Sequence, residues 1–161
     1  MPVIELDLQN PAGLRQLPAQ ENFELWVGAA IKSTSYQPEN KQPVELTIRI
    51  TDELEARQLN NTYRQKDYAT NVLSFPTDAP EEIPINLLGD LVICADVVTK
   101  EANQQLKTAE AHWAHLTIHG ALHLLGYDHI EEAAADEMEK LETTIMLSLG
   151  YNDPYAASPE T

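Results

Sequence analysis

The most regular stretch of the chain is an alternation. In residues 43–50, Val44, Leu46, Ile48 and Ile50 take turns with Glu45, Thr47 and Arg49, the period of two expected of a strand with one buried face. Residues 2–8 read as a second strand, with Ile4, Leu6 and Leu8 on one side. Residues 71–75 form a short strand stopped by Pro76, and 91–95 is apolar on both faces, as in an inner strand. Elsewhere the period lengthens. Phe23, Trp26, Val27, Ala30 and Ile31 fall at helical spacing, as do Val98, Ala102 and Leu106, and then Ala134, Met138, Leu141, Ile145 and Leu149.

The punctuation between these runs supports the same elements. Asp52 with Glu55 has the spacing of a capping box opening a helix to about residue 62. Asp96 and Thr108 are candidate N-caps, the second for a longer helix that ends at Gly126, a residue suited to the left-handed position after a C-terminus. Gly150 and Pro154 close the last helix, and Pro76, Pro80 and Pro84 make 76–86 a surface loop. Strands mixed with helices predict an α+β or α/β protein, one small sheet with helices packed on it. A length of 161 residues suits one domain, 1–161, with 152–161 as a flexible tail.

Composition narrows the function. The longest apolar run, residues 25–31, is far short of the ~18 residues a membrane span needs. With no secretory signal legible and a single cysteine, Cys94, a cytoplasmic protein without disulfides is expected. Cys94 lies in an apolar run and is expected simply to pack. The 26 acids and 10 bases give a net charge of −16, which opposes non-specific attraction to nucleic acid or anionic lipid. Residues 131–161 carry much of the excess, whereas 57–66 hold Arg57, Arg64 and Lys66 and no acid. An anionic ligand would meet this local patch.

All five histidines lie between residues 112 and 129. His112, His115, His119 and His123 fall on one stripe of the helix ending at Gly126, and His129 follows the turn. One such histidine is ordinarily a satisfied core residue. Several converging imidazoles are costly to bury without a shared partner, and a divalent cation removes that cost. His119, His123 and His129, with Gly126 between, have the spacing of the H-E-x-x-H-x-x-G-x-x-H zinc site. Where that site places its general-base glutamate stands Gly120, which argues against peptide hydrolysis. Three neutral nitrogen ligands leave an open fourth position, and zinc is the first choice of metal, with nickel, copper and iron also compatible. His112 and His115 are competing ligands set aside for their distance from His129; His115 is expected behind the ligands or facing substrate. Asp128 could orient an imidazole or carry a proton.

At HGALHLLGYDH, residues 119–129, the sequence resembles the YbeY family of bacterial metal-dependent endoribonucleases, the ribosomal-RNA maturation factors. LNNTYRQKDYATNVLSFP (59–76), LLGDLVICAD (87–96) and EAHWAHLTIHG (110–120) resemble further family segments. The resemblance implies an α+β fold, a small mixed sheet of about four strands with helices packed around it, together with metal binding by His119, His123 and His129 at the end of a long helix and a functional role for Arg64. It also implies a single-strand-specific endoribonuclease that matures ribosomal RNA, including the 3′ end of the small-subunit RNA, and serves ribosome quality control. On its own, Arg64 could instead form a surface pair with Asp67, while Arg57 and Lys66 are weaker candidates for backbone contact, and Asn71 and Ser74 for the cleft wall. The main alternative is a non-catalytic assembly factor with a structural metal, docking its acidic last helix on a small-subunit ribosomal protein or an assembly GTPase. A general hydrolase of small esters or peptides is the third reading.

Overall fold

The computed structural model describes residues 3–36, 42–77, 86–127 and 131–155. Four strands, β1 (Ile4–Gln9), β2 (Val44–Thr51), β3 (Val72–Pro76) and β4 (Asn86–Cys94), form one sheet in the order β1-β2-β4-β3. The pairs β1·β2 and β2·β4 are parallel and β3·β4 is antiparallel, so the sheet is mixed and the apolar run in β4 is indeed internal. Five helices accompany it: α1 (Gln20–Lys32), α2 (Glu53–Arg64), α3 (Ala95–Gln104), α4 (Ala109–Leu124) and α5 (Glu132–Ser148). This is the α+β arrangement with a mixed four-stranded sheet that the resemblance implied, and one of the two classes that the periodicities allowed.

The alternation in β2 sorts as read: Val44, Leu46, Ile48 and Ile50 are buried, and Glu45, Thr47 and Arg49 are half-buried on the other face. The buried face meets α1 and α4, where Phe23 stacks edge-on against Trp26 and Trp113 at 5.5 and 5.8 Å. Helix α4 runs through the middle and packs on β3, β4, α1, α3 and α5. It is buried nearly all round, the pattern of a helix enclosed by other elements. Thr108 caps it by accepting from the Ala111 N–H at 3.1 Å. Beyond its end Gly126 has φ 104°, and Tyr127 N–H returns to Leu122 C=O at 3.0 Å, the expected left-handed termination. Cys94 is buried, and desolvation raises its thiol pKa.

Four local readings change. Strand β4 begins at Asn86, well before residue 91; Asn86 is buried and donates to Gln42 C=O at 3.1 Å, so a polar residue sits inside the sheet. Asp96 is not an N-cap. The chain passes straight from β4 into α3 with Cys94 at the cap, and the Asp96 carboxylate accepts from Glu53 N–H at the start of α2. Leu106 lies beyond α3 in a left-handed conformation, φ 57°, and is exposed. Within the stretch read as a tail, 152–155 is docked: Lys107 Nζ donates to Pro154 C=O at 2.7 Å and Pro154 is buried. Residues 156–161, like most of the 76–86 loop, lie outside the described residues. No helix among the described residues is long and apolar enough to cross a membrane.

Candidate metal centre and its cleft

The C-terminal half of α4 delivers His119 and His123 to the floor of a cleft of about 570 Å³. Its walls come from the end of α2 (Asn60, Arg64), the following loop (Lys66, Tyr68, Thr70, Asn71), β3 (Ser74) and the turn at Gly126 and Tyr127. The helix can approach β3 and β4 this closely because residue 120 is glycine. A Cβ there would lie 2.8 Å from Leu91 Cδ2 and 3.3 Å from Val72 Cγ2. The same contact explains why no glutamate follows His119: its carboxylate would enter the buried helix–sheet seam. Gly120→Glu is expected to lower stability by about 3 kcal/mol or more, from overpacking and a buried charge, without creating peptidase activity. Chemical denaturation measures the first effect and a peptide assay the second.

The two imidazoles face each other. His119 Nε2 and His123 Nε2 are 3.1 Å apart and the rings are nearly perpendicular, at 83°. Each ring's other nitrogen is engaged: His123 Nδ1 with the Tyr127 carbonyl at 3.0 Å, His119 Nδ1 with Glu142 Oε1 at 3.0 Å. A carbonyl and a carboxylate only accept, so both Nδ1 atoms carry the proton and the Nε2 atoms are the ones left to act as ligands. Two Nε2 atoms turned toward each other at this distance suit a shared cation. With metal–nitrogen bonds of ~2.0–2.1 Å, two tetrahedral ligands lie about 3.3 Å apart, close to the observed separation. The pair therefore fits a divalent transition metal. The described residues alone gather no set of three ligands; His129, expected as the third, and Asp128 lie outside them.

The other two histidines of the stripe sit elsewhere. His112, 3 % exposed, contacts Glu101 Oε1 through Nε2 at 3.0 Å, and Glu101 also accepts from Asn71 Nδ2 at 3.1 Å. His115, 8 % exposed, contacts Glu142 Oε1 at 2.8 Å, so it lies behind His119 and does not face the cleft. Burial lowers the His115 pKa and keeps the ring neutral despite that contact. Glu142 escaped the sequence reading altogether. Burial would raise its pKa, but the hydrogen bonds from His115 and His119 outweigh it and bring it down to about 2. The one sequence signal was an acid placed between Met138 and Ile145 on the apolar stripe of α5.

Arg64 is the last residue of α2 and lines the cleft with the histidines. It does not pair with Asp67. Gln65 turns the chain in the left-handed region, φ 59°, and Asp67 comes back against Arg57 with Nε–Oδ1 2.7 Å and Nη2–Oδ2 2.9 Å. Arg57 is thereby neutralised and falls away as a contact for a phosphate backbone, whereas Arg64 and Lys66 make no ion pair among the described residues. The loop they border is anchored by buried Asn60, whose Nδ2 donates to Tyr68 C=O at 2.9 Å. Ser74 Oγ reaches Gly120 C=O at 3.4 Å, tying β3 to α4 beneath the cleft. A larger groove of about 850 Å³ lies on the opposite face of the sheet; its charged pair, Arg49 and Glu55, is closed on itself and no histidine lines it.

The whole chain, with its α4 histidine pair beside Arg64 and Lys66, can be compared with known proteins. Residues 9–150 match the family model of Endoribonuclease YbeY, a longer match than the segments legible by eye, and the chain belongs to that family of RNA-hydrolysing nucleases. It is 57% identical to a protein of Stutzerimonas stutzeri (strain A1501) named Endoribonuclease YbeY, over 99% of this chain and 96% of that one. A solution structure of a Thermotoga maritima protein shares the fold at a TM-score of 0.53 and 21% identity, covering 94% of this chain and 99% of that one.

Proposed function

We propose that this protein is a metal-dependent endoribonuclease that cleaves single-stranded RNA in ribosomal RNA maturation and ribosome quality control, in the cytoplasm. The observation that carries the reading is the His119–His123 pair, Nε2 to Nε2 at 3.1 Å, opening on the cleft that Arg64 borders. His119, His123 and His129 would hold one Zn²⁺, or another divalent transition metal. Such an ion supplies Lewis acidity toward a phosphoryl oxygen and lowers the pKa of water at that point.

The protein's own groups do the rest. Arg64 offers a planar guanidinium that can hold two oxygens of one phosphate and stabilise the charge developing on it. Lys66, on the same cleft wall, holds a neighbouring phosphate as a point charge. His112 and His115 are buried and take no proton from substrate. Gly120 supplies no base either; Asp128, adjacent to His129 in the sequence, is the residue proposed to carry the proton. Water and the RNA 2′-OH are both chemically open as nucleophile; a 2′,3′-cyclic phosphate end on the product would identify the latter. The exposed acids of α5, among them Glu132, Asp136, Glu137 and Glu139, suit docking on a basic small-subunit ribosomal protein or an assembly GTPase. Such docking would deliver an acidic enzyme to RNA.

Cleavage of purified ribosomal RNA by nuclease-free protein, compared with a His123→Ala control, tests the proposal; equal cleavage by both would remove it. The charge map adds an expectation for binding. With Arg64 and Lys66 the cations among the described residues of the cleft, log K should fall against log salt with a slope of about −1 to −3, following the counterion relation for single strands. A slope near −6 in filter-binding titrations would place the RNA on some other surface.

A further inference from the structure

Glu142 is a carboxylate with no exposure, held by three donors: His115 Nε2 at 2.8 Å and His119 Nδ1 at 3.0 Å on Oε1, and Tyr155 Oη at 2.9 Å on Oε2. No lysine or arginine pairs with it among the described residues. A buried charge without a permanent cation adds little to stability; an apolar residue of similar volume commonly does as well or better. The neighbourhood accepts a further cost. His115 turns Nε2 to Glu142 and leaves Nδ1 buried with no partner among the described residues, although buried polar atoms are seldom left so. Tyr155, beyond the last helix, sets its ring edge-on against His115 at 5.1 Å and its hydroxyl on Glu142. Three elements, α4, α5 and the segment after α5, thus converge on one carboxylate, which touches the ring whose opposite nitrogen faces His123.

We infer that Glu142 is the positioning residue of the metal centre: it fixes His119 as the Nδ1–H tautomer with Nε2 toward the cleft, and His115 and Tyr155 hold the carboxylate in place. The inference rests on the proposed metal reading for its purpose, but the tautomer it requires exists without metal. A carboxylate behind a ligating imidazole raises the donor strength of the opposite nitrogen, and its removal typically weakens metal binding ~10–100-fold. Glu142→Gln keeps the volume and removes the charge. Its amide can also donate to Nδ1, which would move the His119 proton to Nε2 and leave that nitrogen unable to bind a cation. Tyr155→Phe leaves both imidazole contacts and should cost less than Glu142→Gln.

Two measurements on the full chain test this. In metal-free wild-type protein, nitrogen-15 NMR of the imidazoles should show His119 protonated at Nδ1; an Nε2–H tautomer there would overturn the inference with no variant needed. Zinc affinity, read by competition with a chromophoric chelator, should fall ~10–100-fold in Glu142→Gln and by less than tenfold in Tyr155→Phe. Metal-free melting temperatures show that both variants are folded. Zinc affinity equal to wild type in a folded Glu142→Gln protein would overturn the positioning role while the metal reading stands. Wild-type protein that binds no zinc would instead remove the metal reading, and the positioning role with it. Should Glu142→Gln fail to fold, Tyr155→Phe and the wild-type tautomer decide.

Discussion

His123→Ala is expected to lose its metal and nearly all RNA cleavage while keeping its fold. His123 is half-buried at the end of α4, and among the described residues its Nδ1 donates one hydrogen bond, to the Tyr127 carbonyl. Losing that bond costs about 0.5–1.5 kcal/mol, little against the 5–15 kcal/mol of an ordinary domain. Losing one of three nitrogen ligands is different in kind, because the proposed site has no spare imidazole. His115 is turned away onto Glu142, and His112 onto Glu101. Without the Lewis acid several kcal/mol of transition-state stabilisation disappear, about 10³-fold or more in rate. His119→Ala should behave alike. His112→Ala should keep its metal and lose stability instead, since it leaves Glu101 short of a partner. Elemental analysis beside a thermal melt checks all three, and one metal per chain in the His123→Ala protein would refute the ligand assignment.

The second large effect concerns Arg64. Arg64→Ala should retain metal and melting temperature yet cleave RNA ~10²–10³ times more slowly, the typical cost of losing one preorganised charge donor. Arg64→Lys should recover part of this, because the ammonium restores charge but not the two-pronged geometry. Arg57 provides the internal control. It lies in the same basic stretch but is closed by Asp67, an exposed pair of the kind worth ~0–1 kcal/mol at most. Arg57→Ala should therefore leave turnover close to wild type. Full activity in a well-folded Arg64→Ala protein would remove Arg64 from the site.

Much of this architecture is legible in the chain before folding. The alternation in β2 needs only one buried face to become a strand, and Thr108 needs only a helix after it to become a cap. The histidine spacing placed His119 and His123 on one helical face, where they meet. What escaped reading depends on contacts between distant segments. Asp67 is three residues from Arg64, the spacing of a helical pair, but the left-handed Gln65 ends α2 and returns Asp67 to Arg57. Asp96 has the chemistry of a cap yet serves the neighbouring helix, because β4 runs into α3 without a loop. Glu142 could not be recognised on its own helix. Its reason for being buried is carried by α4 and by Tyr155, and an acid within an apolar stripe points to such partners without naming them.

The central claim is that RNA cleavage depends on a metal held by the α4 histidines. The most direct measurement is single-turnover cleavage of a defined single-stranded ribosomal RNA fragment by chelator-stripped protein, before and after Zn²⁺ is restored stoichiometrically. Cleavage should vanish on stripping and return as the metal reaches one equivalent per chain, in wild type but not in His123→Ala. Stripped protein that cleaves the fragment as fast as the restored enzyme would contradict the claim.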